Sequence, residues 1–273
     1  MAYIGLRKPI MAARKGYRDY ETPFAFGKAI GLTVTPNYAE GSLHADDAQS
    51  EYDKEFTSAD VSLNTDTIPI VARTSVFGHK MNEQEIVFNA DDEAGYVGCG
   101  WISVEKIDGK RKFTGNFLPK VKFSEPSEEY ATKGENIEYK TPSIFGKSLT
   151  EEEDGDWKYV QAFETATEAL AYIYEKMGYK LGDLTVKSAA GTETGKTKLT
   201  VTPEKEGTNS YVYRLGKEPQ KPIFDTICKN GYSKWDGTAE ITAKEGDKIL
   251  VVEVTEEGKA RKAGIADVVL KKA

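Results

Sequence analysis

The pattern most suggestive of chemistry is a phosphate-binding motif at residues 190–197. The segment Ala190-Gly-Thr-Glu-Thr-Gly-Lys-Thr197 fits a loose Walker A pattern, in which backbone N–H groups and a lysine cradle phosphates. That chemistry requires a helix directly after the loop, with its N-terminus facing the phosphates. Here a β-like stretch ending at Pro203 follows, and Ala190 stands where the strict motif has glycine. The context therefore favours a hairpin turn over a nucleotide site.

The two histidines, His44 and His79, are the natural candidates for metal binding or acid–base catalysis. Neither has a second His or Cys at the spacing of zinc ligands. A Ser-His-Asp arrangement stays open, but the sequence has no Gly-x-Ser-x-Gly elbow and His79 lies in a predicted turn. We therefore predict surface or hydrogen-bonded histidines, no metal, no cofactor and no enzyme activity.

Acidic runs invite a calcium site or a pair of catalytic carboxylates. The run from Glu151 to Asp156 lacks the ligand spacing of an EF-hand loop. Glycoside hydrolysis needs one carboxyl group whose pKa is raised, usually by burial. A run of adjacent charges instead favours a solvated face. We therefore expect neither kind of site.

Aromatic residues near the C-terminus allow two interpretations. Tyr211, Tyr213, Tyr232 and Trp235 form either a platform for a glycan or part of a β-sandwich core, which aromatic side chains commonly fill. Tyr211 and Tyr213 share one strand face at the period of two, which suits both alternatives. We favour the core.

The composition favours a soluble, mainly β protein. Tyr and Phe are abundant, at 15 and 11 of 273 residues. No apolar run approaches the ~20 residues of a membrane helix. Residues 1–26 lack the apolar region of a signal peptide, so we expect synthesis and first use in the cytosol. The two cysteines, Cys99 and Cys228, are expected to be buried and unpaired.

The net charge of −7 is divided unevenly. Residues 1–182 carry 21 basic and 30 acidic residues, a balance of −9, whereas residues 183–273 carry 16 and 14, a balance of +2. The first part is therefore unsuited to nonspecific nucleic-acid binding, which needs cations that displace counterions.

Two β-rich domains are predicted, residues 1–180 and residues 183–273. Residues 1–26 combine prolines and scattered charges without a period, and predict an N-terminal arm. Asp46 to Phe56 is predicted to be a solvated acidic connection. The best helix runs from Thr165 to Met177, where Thr165-x-x-Glu168 is a capping box; a second, short helix is predicted at residues 67–77.

After Gly182, six or seven short strands alternate with turns rich in Gly, Asn, Asp and Pro. This pattern predicts a small β-sandwich with Ig-like architecture. The Cys…Trp…Cys spacing of antibody domains is missing, so the similarity is one of architecture.

Several ordered segments between residues 3 and 178 resemble the major tail protein of siphoviruses, the long-tailed phages of Gram-positive bacteria. The segments are Gly27–Gly31, Leu43–Asp47, Asp91–Ile102, Phe117–Phe123, Thr132–Glu138 and Thr141–Gly146. The resemblance implies a tail-tube β-sandwich flanked by a helix, with residues 183–273 as an outer decoration domain.

The same resemblance implies hexameric rings of this chain, stacked into a tube through which DNA passes without specific binding during genome ejection. It implies tape-measure, tail-terminator and tail-tip proteins as partners, no membrane, assembly in the host cytoplasm and a final location in the virion tail. On this hypothesis an acidic wall faces the lumen, with the candidates Asp46, Asp47, Asp91 and Asp92. A basic arm contacts the next ring, with the candidates Arg7, Lys8, Arg14, Lys15 and Arg18.

Two alternatives differ from a tube subunit. One is a carbohydrate-binding or hydrolytic tail fibre or tip protein, which would bind or cleave glycans. The other is a cell-surface adhesin built of β-domains, which would need export.

Overall fold

The computed structural model of the protein describes residues 2–107, 109–132 and 139–271. The chain divides into two compact units, Met1–Gly178 and Tyr179–Ala273. Both consist mainly of β-sheet, and the mainly β class is confirmed. Residues 133–138 of the tail-protein resemblance lie outside the described residues.

The N-terminal unit contains eleven strands and two helices among its described residues. The strands are β1 (Ala2–Gly16), β2 (Asp19–Tyr20), β3 (Phe24–Ala25), β4 (Ala29–Ala45), β5 (Ala48–Thr65), β6 (Lys80–Asn82), β7 (Glu85–Val87), β8 (Tyr96–Ile107), β9 (Lys110–Phe123), β10 (Ser143–Ser148) and β11 (Tyr159–Phe163), and the helices are α1 (Ile70–Ser75) and α2 (Ala166–Lys176). One sheet has the order β2-β1-β8-β9-β10-β5-β4, with β3 also paired to β1 and β11 to β9. Strands β6 and β7 form a separate hairpin.

Alternation along β8 and β9 divides their side chains between two buried faces of the sheet. Cys99, Trp101 and Leu118 point into an apolar core that also contains Met11 and Phe26. Burial raises the pKa of the Cys99 thiol to about 12, as is typical of a cysteine in an apolar core.

Helix α2 covers the opposite face of β8 and β9. The predicted capping box is confirmed, since the Thr165 hydroxyl accepts from the Glu168 N–H and the Glu168 carboxylate accepts from the Thr165 N–H. Glycines let the helix approach the sheet closely. A Cβ at Gly100 would lie 2.4 Å from a methyl carbon of Ile173.

Residues 1–26 do not form an arm, so that prediction is wrong. Fifteen of them make up β1, which pairs along most of its length with β8 and also with β2 and β3. Ile10 and Met11 are buried in the middle of this strand. The backbone hydrogen bonds to β8 and the burial of this short apolar stretch stabilise a strand, despite the scattered charges that suggested an arm.

The acidic segment Asp46 to Phe56 is solvated as predicted, but it is not a connection between strands. It is the tip and distal half of a long hairpin formed by β4 and β5, which are 17 and 18 residues long. The predicted short helix at residues 67–77 is present as α1, which begins after Pro69.

The C-terminal unit is a two-sheet β-sandwich. Its strands are β12 (Gly182–Asp183), β13 (Thr185–Ala190), β14 (Lys196–Thr202), β15 (Ser210–Gly216), β16 (Ser233–Trp235), β17 (Ile241–Thr242), β18 (Lys248–Val254) and β19 (Ala260–Asp267). One sheet has the order β12-β19-β18-β15-β16 and the other β13-β14-β17. Val186, Leu199 and Val251 from both sheets share one core.

The motif at residues 190–197 is the predicted hairpin turn. Strand β13 ends at Ala190, strand β14 begins at Lys196, and Ala190 pairs with Thr197. A strand follows the motif, so the N–H groups of a helix N-terminus are not available to a phosphate.

Candidate interaction surface

The hairpin of β4 and β5 continues beyond the packed part of its sheet as a two-stranded ribbon. We define the acidic ribbon as residues 38–56. Tyr38 pairs with Phe56 at its base, Ala45 pairs with Ala48 at its end, and every residue from 38 to 55 is exposed. The ribbon has six acidic residues and one lysine, a balance of −5.

The tip of the acidic ribbon is a two-residue turn formed by Asp46 and Asp47. Their φ angles are 51° and 59°, the left-handed conformation that a type I′ turn needs at both central positions. Asp tolerates this conformation better than most residues. These two lumen candidates are therefore exposed neighbours at the end of the hairpin.

The two faces of the acidic ribbon differ in chemistry. On the aromatic face, Tyr38 and Phe56 meet edge to face and Phe56 stacks on Trp157 with ring centroids 4.6 Å apart. Lys54 lies on the same face, 2.8 Å from Glu40 and 4.4 Å above the Tyr38 ring.

The opposite face, which we call the carboxylate face, has apolar residues and glycine on one strand and acids on the other. Ala39 lies opposite Glu55, Gly41 opposite Asp53 and Leu43 opposite Glu51. Within the described part of the chain, no cation lies within ion-pair distance of these three carboxylates.

The other pair of lumen candidates, Asp91 and Asp92, is not part of this surface. Asp91 is exposed, but the Asp92 side chain is only 8% exposed and lies 2.8 Å from Nδ1 of His79. That hydrogen bond, together with the N–H of Asn89, lowers the pKa of Asp92. Asp92 is therefore a structural partner of a buried histidine and not a free surface charge.

His79 is held from both sides by carboxylates. Its Nε2 lies 2.7 Å from Glu125, whose other oxygen accepts from Arg73 at 2.9 Å. The ring also packs against Phe88, with centroids 4.1 Å apart. The prediction of a hydrogen-bonded histidine is confirmed for His79, and His44 is exposed on the acidic ribbon.

The five basic candidates divide into paired and unpaired groups. Arg14 lies 2.7 Å from the buried Glu151, Arg18 lies 2.5 Å from Asp154, and Lys15 lies 3.4 Å from Asp19. Arg7 and Lys8 are exposed and have no carboxylate within ion-pair distance among the described residues.

The run from Glu151 to Asp156 is therefore only partly the solvated face that was predicted. Glu151 is 1% exposed, and its N–H donates to the Asp156 carbonyl in a tight loop. The loop holds the β1–β2 turn through Arg14 and Arg18.

The four aromatic residues of the C-terminal unit do not form one platform. Tyr211 and Trp235 are buried in the sandwich core and Tyr213 packs against it. Tyr232 packs on a different cluster around Cys228 and Val212. A groove of about 550 Å³ is nevertheless lined by Tyr211, Tyr213 and Trp235 together with acidic side chains.

Open sheet edges add to the exposed surface of the N-terminal unit. Strand β4 ends the sheet order, so its outer backbone groups are unpaired by any described strand. Tyr3 and Ile4 of β1 are 77% and 49% exposed, and Ile30 of β4 is 55% exposed. A groove of about 470 Å³ lies between these strands, where burial lowers the pKa of Lys158.

Neither a metal centre nor a membrane span is found in the described ranges. No group of three or more His, Cys, Asp or Glu residues there is arranged to hold a metal ion. No helix there has the length and apolarity needed to cross a bilayer.

Comparison with known proteins finds a similarity in the C-terminal unit. The family model of the S-layer protein SbsC C-terminal domain matches residues 189–264, which lie in the C-terminal sandwich. No curated protein matches. A match to the solved structure of domains 7, 8 and 9 of the S-layer protein SbsC, at 15% identity, covers 93% of this chain and 67% of that chain, with a TM-score of 0.31.

The match at residues 189–264 overturns the tail-tube interpretation. A subunit of a phage tail, with hexameric rings, tape-measure, terminator and tail-tip partners, a DNA conduit and a location in the virion, is therefore wrong for this chain. The segments that suggested it are short, and residues 2–16, which were predicted to belong to an arm, form a strand of the sheet. The chain is similar over its C-terminal sandwich to an S-layer domain.

Proposed function

We propose that the protein is a structural component of a cell-surface layer that assembles with copies of itself. The similarity of residues 189–264 to an S-layer domain supports a surface location. We interpret the two-sheet sandwich of the C-terminal unit as an Ig-like module of that layer. The earlier surface alternative, built of β-domains, agrees better with this similarity than a tail component does.

The proposal of self-association rests on the exposure of the acidic ribbon. A two-stranded hairpin is marginally stable in water by itself. The acidic ribbon is exposed along its length, and its residues Tyr38, Leu43 and Tyr52 are 44%, 56% and 54% exposed. A docking partner would cover these apolar groups and supply the support that the ribbon lacks, and a repeating layer provides such a partner in every neighbouring copy.

We also propose that the protein is not an enzyme. The geometry of His79 supports this, because both ring nitrogens are engaged by carboxylates and neither is free to accept a proton from a nucleophile. Both cysteine thiols have pKa values raised by burial.

A second candidate function is glycan binding by the C-terminal unit. The groove beside Tyr213 and Trp235 combines aromatic side chains with Asp236 and Glu240. Aromatic faces flanked by carboxylates are chemically suited to sugars. Calorimetry with cell-wall glycan fragments tests this role: Tyr213→Ala should weaken binding at least about tenfold, whereas Tyr232→Ala, on a different cluster, should not. Equal effects of both changes would contradict it.

Sedimentation velocity and negative-stain electron microscopy across a concentration series test the main proposal. The purified protein should convert from monomers to extended ordered assemblies as its concentration rises. Monomers alone at all concentrations, in low salt and at neutral pH, would contradict self-association.

A further inference from the structure

The carboxylate face presents a regular row of negative charge. Glu51, Asp53 and Glu55 alternate along β5, so their side chains project from one face at intervals of about 7 Å. Ala39 and Gly41 on the paired strand are small, which leaves Glu55 and Asp53 accessible to a partner, and the exposed Leu43 lies opposite Glu51. The partner that this face fits is a surface that carries several unpaired cations.

Such a surface exists on the sheet of the same unit. We define the basic face as Arg7 of β1, Lys106 of β8 and Arg111 of β9. Lys106 lies directly opposite Arg111, and Arg7 lies opposite Ile102, four residues from Lys106 and therefore on the same side of the sheet. All three are exposed.

The basic face is electrostatically unfavourable in an isolated molecule. Two like charges directly opposite each other on paired strands destabilise a sheet. Arg7 contacts the ring of Phe113, 5.8 Å from its centroid, and none of the three cations has a carboxylate within ion-pair distance in the part of the chain that the structure describes. Nearby Lys112, in contrast, is paired with Glu164. An external anionic surface would relieve this repulsion.

We propose that the carboxylate face of one copy docks on the basic face of a second copy. The proposal rests on the proposed function and names the surfaces through which it operates. Three carboxylates meet three cations, and the contact also covers the exposed Leu43. The two surfaces are different, so each copy both gives a ribbon and receives one. Such a head-to-tail contact does not close on itself and can propagate an array.

A charge-exchange experiment tests the pairing. The first variant, E51K/D53K/E55K, should repel the basic face of its own copies, and the second, R7E/K106E/R111E, should repel the acidic ribbon. Each should raise the concentration at the assembly midpoint by at least about tenfold. An equimolar mixture should regain assembly, because the basic ribbon of the first variant fits the acidic face of the second and the reverse pair also matches.

Controls separate this contact from general charge effects. The variant K187E/K198E/K205E changes three exposed lysines of the C-terminal unit and should assemble as the unmodified protein does. Thermal unfolding by circular dichroism should show that all variants are folded.

The outcomes distinguish the pairing from the wider function. An unmodified protein that assembles while the mixture stays monomeric would reject this pairing and leave self-association intact. Normal assembly of E51K/D53K/E55K alone, or of R7E/K106E/R111E alone, would also reject it. If R7E/K106E/R111E instead abolishes binding of an anionic polysaccharide without affecting assembly, the basic face serves a glycan polyanion and the pairing is wrong. An unmodified protein that never assembles would reject both proposals.

Discussion

At the scale of single residues, the ion pair of Arg14 and Glu151 fastens β1 to the loop before β11. The Glu151 side chain is fully buried and that of Arg14 is 13% exposed. Removing one partner of a buried pair leaves the other charge desolvated, which costs more than the pair itself contributes. The sequence does not indicate the role of Glu151. It is the first residue of an acidic run whose other five residues are exposed, and the sequence alone does not distinguish a buried acid from exposed ones.

We predict that Glu151→Gln lowers the free energy of unfolding by about 3 kcal/mol. Urea unfolding followed by the fluorescence of Trp101 and Trp157 measures this, in a Trp235→Phe background so that only the N-terminal unit reports. Glu153→Gln, a change at an exposed neighbour, should stay within about 0.5 kcal/mol of the parent. Equal stability of the two variants would show that the pair is unimportant.

The contact of Asp92 with His79 predicts a pH dependence. The folded-state pKa of Asp92 lies below its ordinary value of 3.8, so its contribution to stability is present above that value and is lost as the pH falls through the lower folded-state pKa. Asp92→Asn should therefore destabilise the protein at neutral pH, and the difference from the parent should shrink below about pH 4. Thermal melts across pH measure it, with Asp91→Asn as the exposed control. A difference that persists unchanged in acid would refute this role of the carboxylate.

At the scale of elements, the packing of α2 depends on the absence of side chains on the sheet below it. Gly100→Ala would place its Cβ 2.4 Å from Ile173, which is fully buried and cannot move aside freely. We predict a loss of about 1–3 kcal/mol in unfolding free energy, the usual range for overpacking. Gly31→Ala, where nothing lies within 4 Å, is the matched strand control in urea unfolding. A Gly100 variant as stable as the control would indicate that the helix can shift.

Elements with strong local signals were predictable, and elements fixed by long-range pairing were not. The capping box and apolar spacing specify α2, and the β pattern after Lys196 specifies a hairpin in place of a phosphate loop. The long hairpin was missed because Asp46-Asp47 lacks the usual Asn-Gly signal of a two-residue turn. Strand β1 was missed because its residues pair with β8, about ninety residues away in the chain.

At the scale of the whole molecule, the uneven charge has a structural explanation. Much of the acidic excess of the N-terminal unit lies on the acidic ribbon. Most of the basic residues that were predicted to contact a neighbouring ring instead form ion pairs within the unit. The sequence predicted the asymmetry, but its assignment to a lumen depended on a family resemblance that was wrong. The grouping of Lys106 and Arg111 with Arg7 follows from strand register, which single-sequence patterns do not supply.

The central claim is that the acidic ribbon mediates assembly, and shortening it is the most direct test. Residues 39–55 can be replaced by Asn-Gly, which joins the paired residues Tyr38 and Phe56 by a favourable two-residue turn. Sedimentation velocity of this variant beside the unmodified protein is the measurement. We predict a folded chain with an unchanged melting temperature that stays monomeric at concentrations where the unmodified protein assembles. A shortened protein that assembles at the same concentration would contradict the account.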